Sequence, residues 1–201
     1  NTGQGDQVDA DGKKNYQRTI ISLFDTSGSW SQPYVDAGYN VVRLDIQDGV
    51  DVEDIDMQWL FDWAGDNMDD VYGVMAACPC TIFTVANNRN WPAGDKDGRL
   101  ESSKALVFRT LELIEFVRPK FWVVENPRSS RMGEPEGGDR DYSTTGLPVP
   151  KLTFSRFNFG DEGVKPTSLW GNFNHELPTA NLGKAGKNFT NQVGGNSKET
   201  K

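Results

Sequence analysis

Four short stretches of this sequence carry residues able to do chemistry. CPCT (Cys78 to Thr81) sets a cysteine, Cys80, directly after Pro79. A thiol in a stiff, proline-braced loop at a strand's end is well placed for covalent catalysis. The plain alternative is a buried, inert cysteine. ENP (Glu125 to Pro127) offers a carboxylate at a second strand end, facing the same crevice as Cys80, the alternative being a surface glutamate at a turn. LFDTSGSW (Leu23 to Trp30) reads as a strand running into a small-residue turn, which lets the backbone approach a ligand before a helix begins. Asp45 follows about 20 residues on, at the end of another strand, where an acidic side chain can take two ribose hydroxyls. The turn lacks dinucleotide-fingerprint spacing, and no lysine suits a phosphate loop. Three such strand ends on one edge of one sheet arise by chance far less often than any one alone.

A sheet is needed to bring these residues together, and the chain reads as one. TIISLF, from Thr19, is a short apolar run rich in β-branched residues and reads as a buried strand. Pro33 and Gly38 bracket a short helix across Gln32 to Ala37. YNVVRLD reads as a second buried strand ending at Asp45, and YGVMAAC (Tyr72 to Cys78) as a third. Over residues 100 to 117, Val107, Leu111 and Ile114 share a helical stripe with Leu106, Leu113 and Val117 beside it, and Pro119 stops the helix. FWVVEN is the next buried strand. This alternation predicts an α/β fold with a parallel sheet covered by helices on both faces. LTFSRFNF and TSLWGNF alternate like an antiparallel strand pair joined by GDEGVKP, which places antiparallel strands at one edge of a mostly parallel sheet.

The remaining segments set the domain plan. Residues 1 to 17 are polar and Gly/Asp-rich and are expected to form a flexible leader. Residues 18 to 201 then form a single domain, with a long surface loop over 128 to 150 and a Gly/Asn/Lys-rich end from Gly183. At 201 residues, 36% apolar and 25% charged, the chain suits one folded core. No run approaches the roughly 18 to 20 apolar residues that span a bilayer, and no signal-peptide pattern opens the chain. A cytoplasmic protein with no membrane partner is expected. A bridge between Cys78 and Cys80, separated by one residue, is geometrically poor, and one histidine, His175, lies far away. Free thiols and no metal site are therefore expected. The net charge is −8, with Asp45, Asp48, Asp51, Glu53, Asp54 and Asp56 close together, read as a solvated acidic face. Proteins that bind nucleic acid alone usually carry a basic surface.

Taken together, these stretches resemble the DNA cytosine-C5 methyltransferase family, especially its small phage-type members. LFDTSGSW is similar to the family's first motif, F-S-G-x-G-S, CPCT to its P-P-C-T loop, and ENP to its E-N-V or E-N-P element. GDEGVKPTSLWGN resembles a G-x-P-x-x-K-P-T-x-x-W-x-N segment of phage-type proteins, and VGGNS the family's C-terminal G-N-S element. The resemblance covers roughly residues 19 to 197. It implies a Rossmann-like fold that binds S-adenosylmethionine, and methyl transfer to C5 of cytosine in DNA. Cys80 would be the nucleophile, with a lowered pKa, Glu125 would hold the base, and Arg156 would support the adduct. Phe24 would lie against the adenine, with Thr26, Ser27, Gly28 and Ser29 near the methionine end. Asp45 would bind the ribose, Ile46 and Pro79 would line the pocket, Asp51 would meet the adenine amine, and Asn196 would close the site.

Departures from the family pattern shape the expected partners. Cys78 stands where the first proline of P-P-C is usual, and Asp25 where serine is usual. The large target-recognition region of restriction-type members is missing, and the chain ends at GNSKETK where phage-type relatives continue, implying a truncated C-terminus. The expected substrate is cytosine-containing DNA in a bacterial or phage-infected cell, with low sequence specificity or with recognition supplied by a partner protein. Arg128 and Arg131 are the expected phosphate contacts, with Arg140, Lys184, Lys187 and Lys198 as further candidates. Two competing readings are the same chemistry on single-stranded or free cytosine nucleotides, and a catalytically idle module of the same fold. Intact Cys80 and Glu125 argue against the second.

Overall fold

The computed structural model describes residues 12–55, 58, 59, 62, 71–84, 98–133, 145–160, 163–176 and 187–188. Its centre is a six-stranded sheet built from β1 (Thr19–Leu23), β2 (Asn40–Leu44), β3 (Val71–Ala76), β4 (Phe121–Pro127), β5 (Leu152–Ser155) and β7 (Pro166–Asn172). The spatial order is β2-β1-β3-β4-β7-β5. The first four strands are mutually parallel, whereas β7 runs antiparallel to both β4 and β5. A two-residue β6 (Gly163–Val164) pairs with β8 (Lys187–Asn188) apart from this sheet. The expected mostly parallel sheet with antiparallel strands at one edge is thus the one observed. The chain starts at β1, steps outward to β2, then returns past β1 to β3, so the strand order reverses between β1 and β3. Such a reversal opens a crevice at the carboxyl ends of the strands.

Strand periodicity sorts the core into two layers. Ile21, Val74, Val124 and Trp170 point to the face covered by helix α2 (Arg99–Val117), where they meet Val107, Leu113, Ile114 and Val117. Each such aliphatic side chain, fully buried, contributes about 1.5–3 kcal/mol. Helix α2 stops as its sequence requires: Arg118 takes a left-handed conformation (φ 46°) and Pro119 follows. The alternate residues Ile20, Met75, Val123 and Leu169 face the other way, under Trp30, Tyr34, Tyr39, Tyr72 and Phe121. The short helix α1 (Gln32–Asp36) contributes Tyr34 to this second layer. Gly73 allows that layer to close, because a Cβ there would collide with the Phe121 ring.

Three expectations change in the structure. β2 is not a buried strand but an edge strand, and only Leu44 of its five residues is buried. LTFSRFNF is not one strand either: β5 ends at Ser155 and Arg156–Phe159 turn into a 3-10 helix closed by Gly160 at φ 96°. Asn158 prompts the change, its Oδ1 accepting from the Ser155 amide at 3.0 Å as a local cap. The end of the expected leader is packed, since Asn15 is buried and its Nδ2 donates to the Ala37 carbonyl at 2.7 Å. Among the described residues no helix is long and apolar enough to cross a membrane.

Candidate active site

The carboxyl ends of β1, β3 and β4 border a cavity of about 840 Å³. Its wall includes Phe24, Thr26, Ser27 and Ser29 after β1, Ala77 after β3, and Glu125 on β4. Phe154, Arg156, Phe159, Lys165, Thr167 and Leu169 close the far side from β5, β7 and the turns beside them. This volume lies within the range of pockets that enclose a sizeable small molecule.

The turn after β1 is held by one carboxylate. Asp25 accepts from the Ser31 hydroxyl (2.7 Å) and amide (3.0 Å), the Ser22 hydroxyl (3.1 Å) and the Trp30 amide (3.4 Å). Burial alone would raise its pKa, but the hydrogen bonds from Ser31, Ser22 and Trp30 outweigh burial and hold it below the usual range. Asp25 therefore does structural work where the family pattern has a serine. Phe24 sits at φ 59°, a left-handed conformation that costs an aromatic residue about 1–3 kcal/mol. Gly28 also has a positive φ, 69°, and a Cβ there would stand 2.7 Å from the Arg43 guanidinium. Gly28 thus faces Arg43 and does not line the cavity.

Asp45, just past β2, is 5% exposed and stands behind Thr26. It accepts from the Thr26 hydroxyl (2.9 Å) and the Gln47 amide (2.9 Å). The next residue, Ile46, leaves 68% of its surface exposed, an apolar side chain with no core to enter. Asp51 is half-buried and Pro79 exposed, and neither lines the cavity.

The two cysteines differ sharply. Cys78 is 3% exposed among core residues, and burial pushes its thiol up to about 12. Cys80 is half-buried, and its carbonyl accepts from the Phe83 and Thr84 amides, both at 3.1 Å. Its loop is tied to the end of β4: the Asn126 Nδ2 donates to the Cys78 carbonyl (2.8 Å) and the Arg131 amide to the Phe83 carbonyl (2.8 Å). Cys80 is not among the residues that line the cavity; Glu125 and Lys165, whose charges act on its thiol, are.

Pleating sends Asn126 to the α2 side and Glu125 to the opposite face, across from Leu169 of β7. Lys165, the residue before β7, places its Nζ 3.8 Å from Glu125 Oε1. Burial raises the Glu125 pKa, and Lys165 partly offsets it. Burial likewise raises that of Cys80, Lys165 lowers it and Glu125 raises it further. The lowered thiol pKa expected from the sequence is therefore corrected: desolvation and the Glu125 charge outweigh the lysine. Cys80, Glu125 and Lys165 form one electrostatic group. Arg156, expected beside the reacting base, is exposed at the cavity mouth, and the cation paired with Glu125 is Lys165. Sequence reasoning passed over Lys165 although it stands in the quoted VKPTSLWGN segment.

Arg128 is exposed directly after β4, while Arg131 is half-buried. Asn196, Arg140, Lys184, Lys198 and Asp56 lie outside the described residues, as does the side chain of Lys187. Among the described residues no cluster of three or more His, Cys, Asp or Glu side chains could hold a metal ion.

No protein-family model matches the chain, and no curated protein matches it in sequence. Matches exist among solved structures, 20 chains in all. One is an E. coli protein described as a candidate DNA modification methyltransferase encoded within a prophage. The two chains share a fold. They superpose with a TM-score of 0.53 at 17% sequence identity, over 77% of this chain and 46% of the other. This chain therefore spans just under half the length of that protein, and the likeness is one of fold.

Proposed function

We propose that the protein transfers a methyl group from S-adenosylmethionine to C5 of cytosine in DNA through a covalent bond to Cys80. The observation that carries this reading is the coupled group of Cys80, Glu125 and Lys165 beside a cavity walled by the turn after β1. The fold neighbour, described as a candidate DNA modification methyltransferase, supports the choice of reaction class.

The β1 side of the cavity fits the methyl donor. Hydroxyls of Thr26, Ser27 and Ser29 suit an amino-acid end, and Phe24 offers an apolar face to a purine. Asp45, buried behind Thr26, and exposed Ile46 lie outside the cavity wall and are assigned to the ribose and the purine once a donor enters. The strained backbone of Phe24 fits a ligand-binding position. Gly28 shapes the turn; Asp51 and Pro79 lie off the cavity wall, and Asn196 remains part of the proposal only through the sequence. When bound, S-adenosylmethionine supplies an electrophilic methyl group.

Cytosine C5 is a poor nucleophile until a sulfur adds at C6. The Cys80 thiolate forms the S–C6 bond, and the C5–C6 π electrons move toward C5. Glu125, whose pKa burial raises, holds the base at N3 and its exocyclic amine. The Glu125 charge opposes the charge on Cys80, and Lys165 favours the charged form of both. After C5 gains its methyl group it loses its proton, the S–C6 bond breaks, and the ring and thiolate are restored. One methyl group enters and one proton leaves.

The reading is tested by incubating DNA with the protein and isotope-labelled S-adenosylmethionine, then analysing the nucleosides by mass spectrometry. Label in 5-methylcytosine supports the proposal, whereas label on the cytosine or adenine amine refutes the C5 chemistry.

A further inference from the structure

Three strands deliver cations to one end of the sheet. β4 runs out at Pro127 into Arg128, β7 begins at Pro166 directly after Lys165, and β5 hands over to Arg156 after Ser155. The register aligns these ends, with Pro127 opposite Thr167 and Ser155 opposite Pro166. The Arg128 amide donates to the Pro166 carbonyl at 3.0 Å, which fixes the first pair. Lys165 is paired with Glu125; Arg156 lines the cavity, and Arg128 is exposed just past the end of β4. The acidic residues Asp48, Asp51 and Asp54 follow β2, the strand at the opposite edge of the sheet.

An aromatic pair stands beside these cations. Phe154 and Phe159 line the cavity with ring centroids 5.2 Å apart and planes at 83°, edge to face. Phe159 is 39% exposed although it is wholly apolar, and Phe154 braces it in one orientation. An apolar ring on the wall of a cavity that Arg156 also lines, at the sheet end that carries Arg128, is complementary to one nucleotide: a base face and its phosphates.

We infer that Phe159, with Arg128 and Arg156, binds the unpaired nucleotide next to the reacting cytosine, so that the substrate is single-stranded DNA. This rests on the methyl-transfer reading for the identity of the reacting base. Phe159 stacks on the neighbouring base, and the arginines take the phosphates on either side. A paired duplex hides its base faces in its own stack and offers none to Phe159. The short cationic rim suits one strand, and a net charge of −8 does not favour a protein that grips a duplex through many phosphates.

The test is fluorescence anisotropy with a labelled single-stranded oligodeoxynucleotide containing one cytosine, its fully paired duplex, and dCMP as competitor. Phe159→Ala should weaken single-strand binding roughly 5- to 150-fold, the range of one base–aromatic stack. Phe159→Trp should restore it, and Phe159→Leu, apolar but without a face, should not. Arg128→Ala and Arg156→Ala should each flatten the salt dependence by about 0.7 in log–log slope. Phe159→Ala binding like the parent would overturn the inference, as would a duplex bound as tightly as the single strand, or dCMP competing as well as the oligonucleotide. The readout is binding, so a failure of methyl transfer to C5 appears separately in the nucleoside analysis and leaves this result standing or falling alone.

Discussion

On the β1 side of the cavity the polar groups answer one another. Asp25 gathers Ser22, Trp30 and Ser31, and Asp45 gathers Thr26 and Gln47. On the β4–β7 side they do not. Cys80 and Glu125 both have raised pKa values from burial, they oppose each other's charge, and Lys165 offsets only part of that. The first side is preorganised around fixed carboxylates, as suits a site that binds a cofactor the same way at each turnover. The second keeps that imbalance, which on the proposed reading a base relieves by bringing N3 and an amine to Glu125. On the proposed reading, binding and chemistry are divided between two sides of one cavity, and substitutions should separate them.

The largest separation is expected at the cysteines. Cys80→Ser should reduce methyl transfer to background while leaving donor affinity nearly unchanged, because the thiol meets the base and not the donor. Cys78→Ala, at the buried thiol, should retain turnover; loss of turnover there with normal folding would move the nucleophile. Asp45→Ala should do the reverse of Cys80→Ser, weakening S-adenosylmethionine by about 1.5–3 kcal/mol, the scale of a hydrogen bond to a charged group. Calorimetry on both variants checks this, with Asp45→Asn separating lost charge from a disturbed turn. Equal loss of donor affinity at Cys80 and Asp45 would merge the two sides again.

Lys165→Met should shift the coupled group without emptying the site. Lys165 lowers the pKa values of Cys80 and Glu125, so its removal moves both upward. The acid limb of Cys80 alkylation by iodoacetamide should then move to higher pH, and Lys165→Arg should recover it. An unchanged alkylation profile would remove Lys165 from the group.

The smallest effect is one of stability on the other side. Asp25 has a folded pKa below its ordinary value of 3.8, so its stabilisation is full above that value and is lost as pH falls through the folded pKa. Asp25→Asn should cost about 1 kcal/mol at neutral pH, since one acceptor oxygen remains. Urea titrations should show the difference from the parent narrowing below pH 4. A constant gap across that range would mean that the Asp25 charge contributes nothing.

Much of the fold was legible because the strands are short, β-branched and separated by helical or turn signals. β1, β3, β4 and α2 fall close to where their apolar patterns place them, and strand ends carry Glu125 and the Phe24–Ser29 turn to one cavity. What was not legible depends on neighbours. Nothing in YNVVRLD says that β2 lies at an edge, because edge position is set by strand order. Lys165 meets Glu125 only through the β4–β7 register, and the antiparallel pattern does not fix that register. Arg156 looked like a strand residue until the Asn158 cap turned the chain into a 3-10 helix. The upward shift of Cys80 follows from burial in the folded chain.

The central claim, a covalent bond between Cys80 and cytosine C6, is tested most directly with single-stranded DNA carrying 5-fluorocytosine. Fluorine at C5 cannot leave as a proton does, so the adduct persists after methyl transfer. Mass spectrometry of the digested protein should find the modified nucleotide on the peptide bearing Cys80, only when S-adenosylmethionine is present, and nowhere in Cys80→Ser. Methyl transfer to DNA without any adduct, or an adduct on Cys78, would contradict the account.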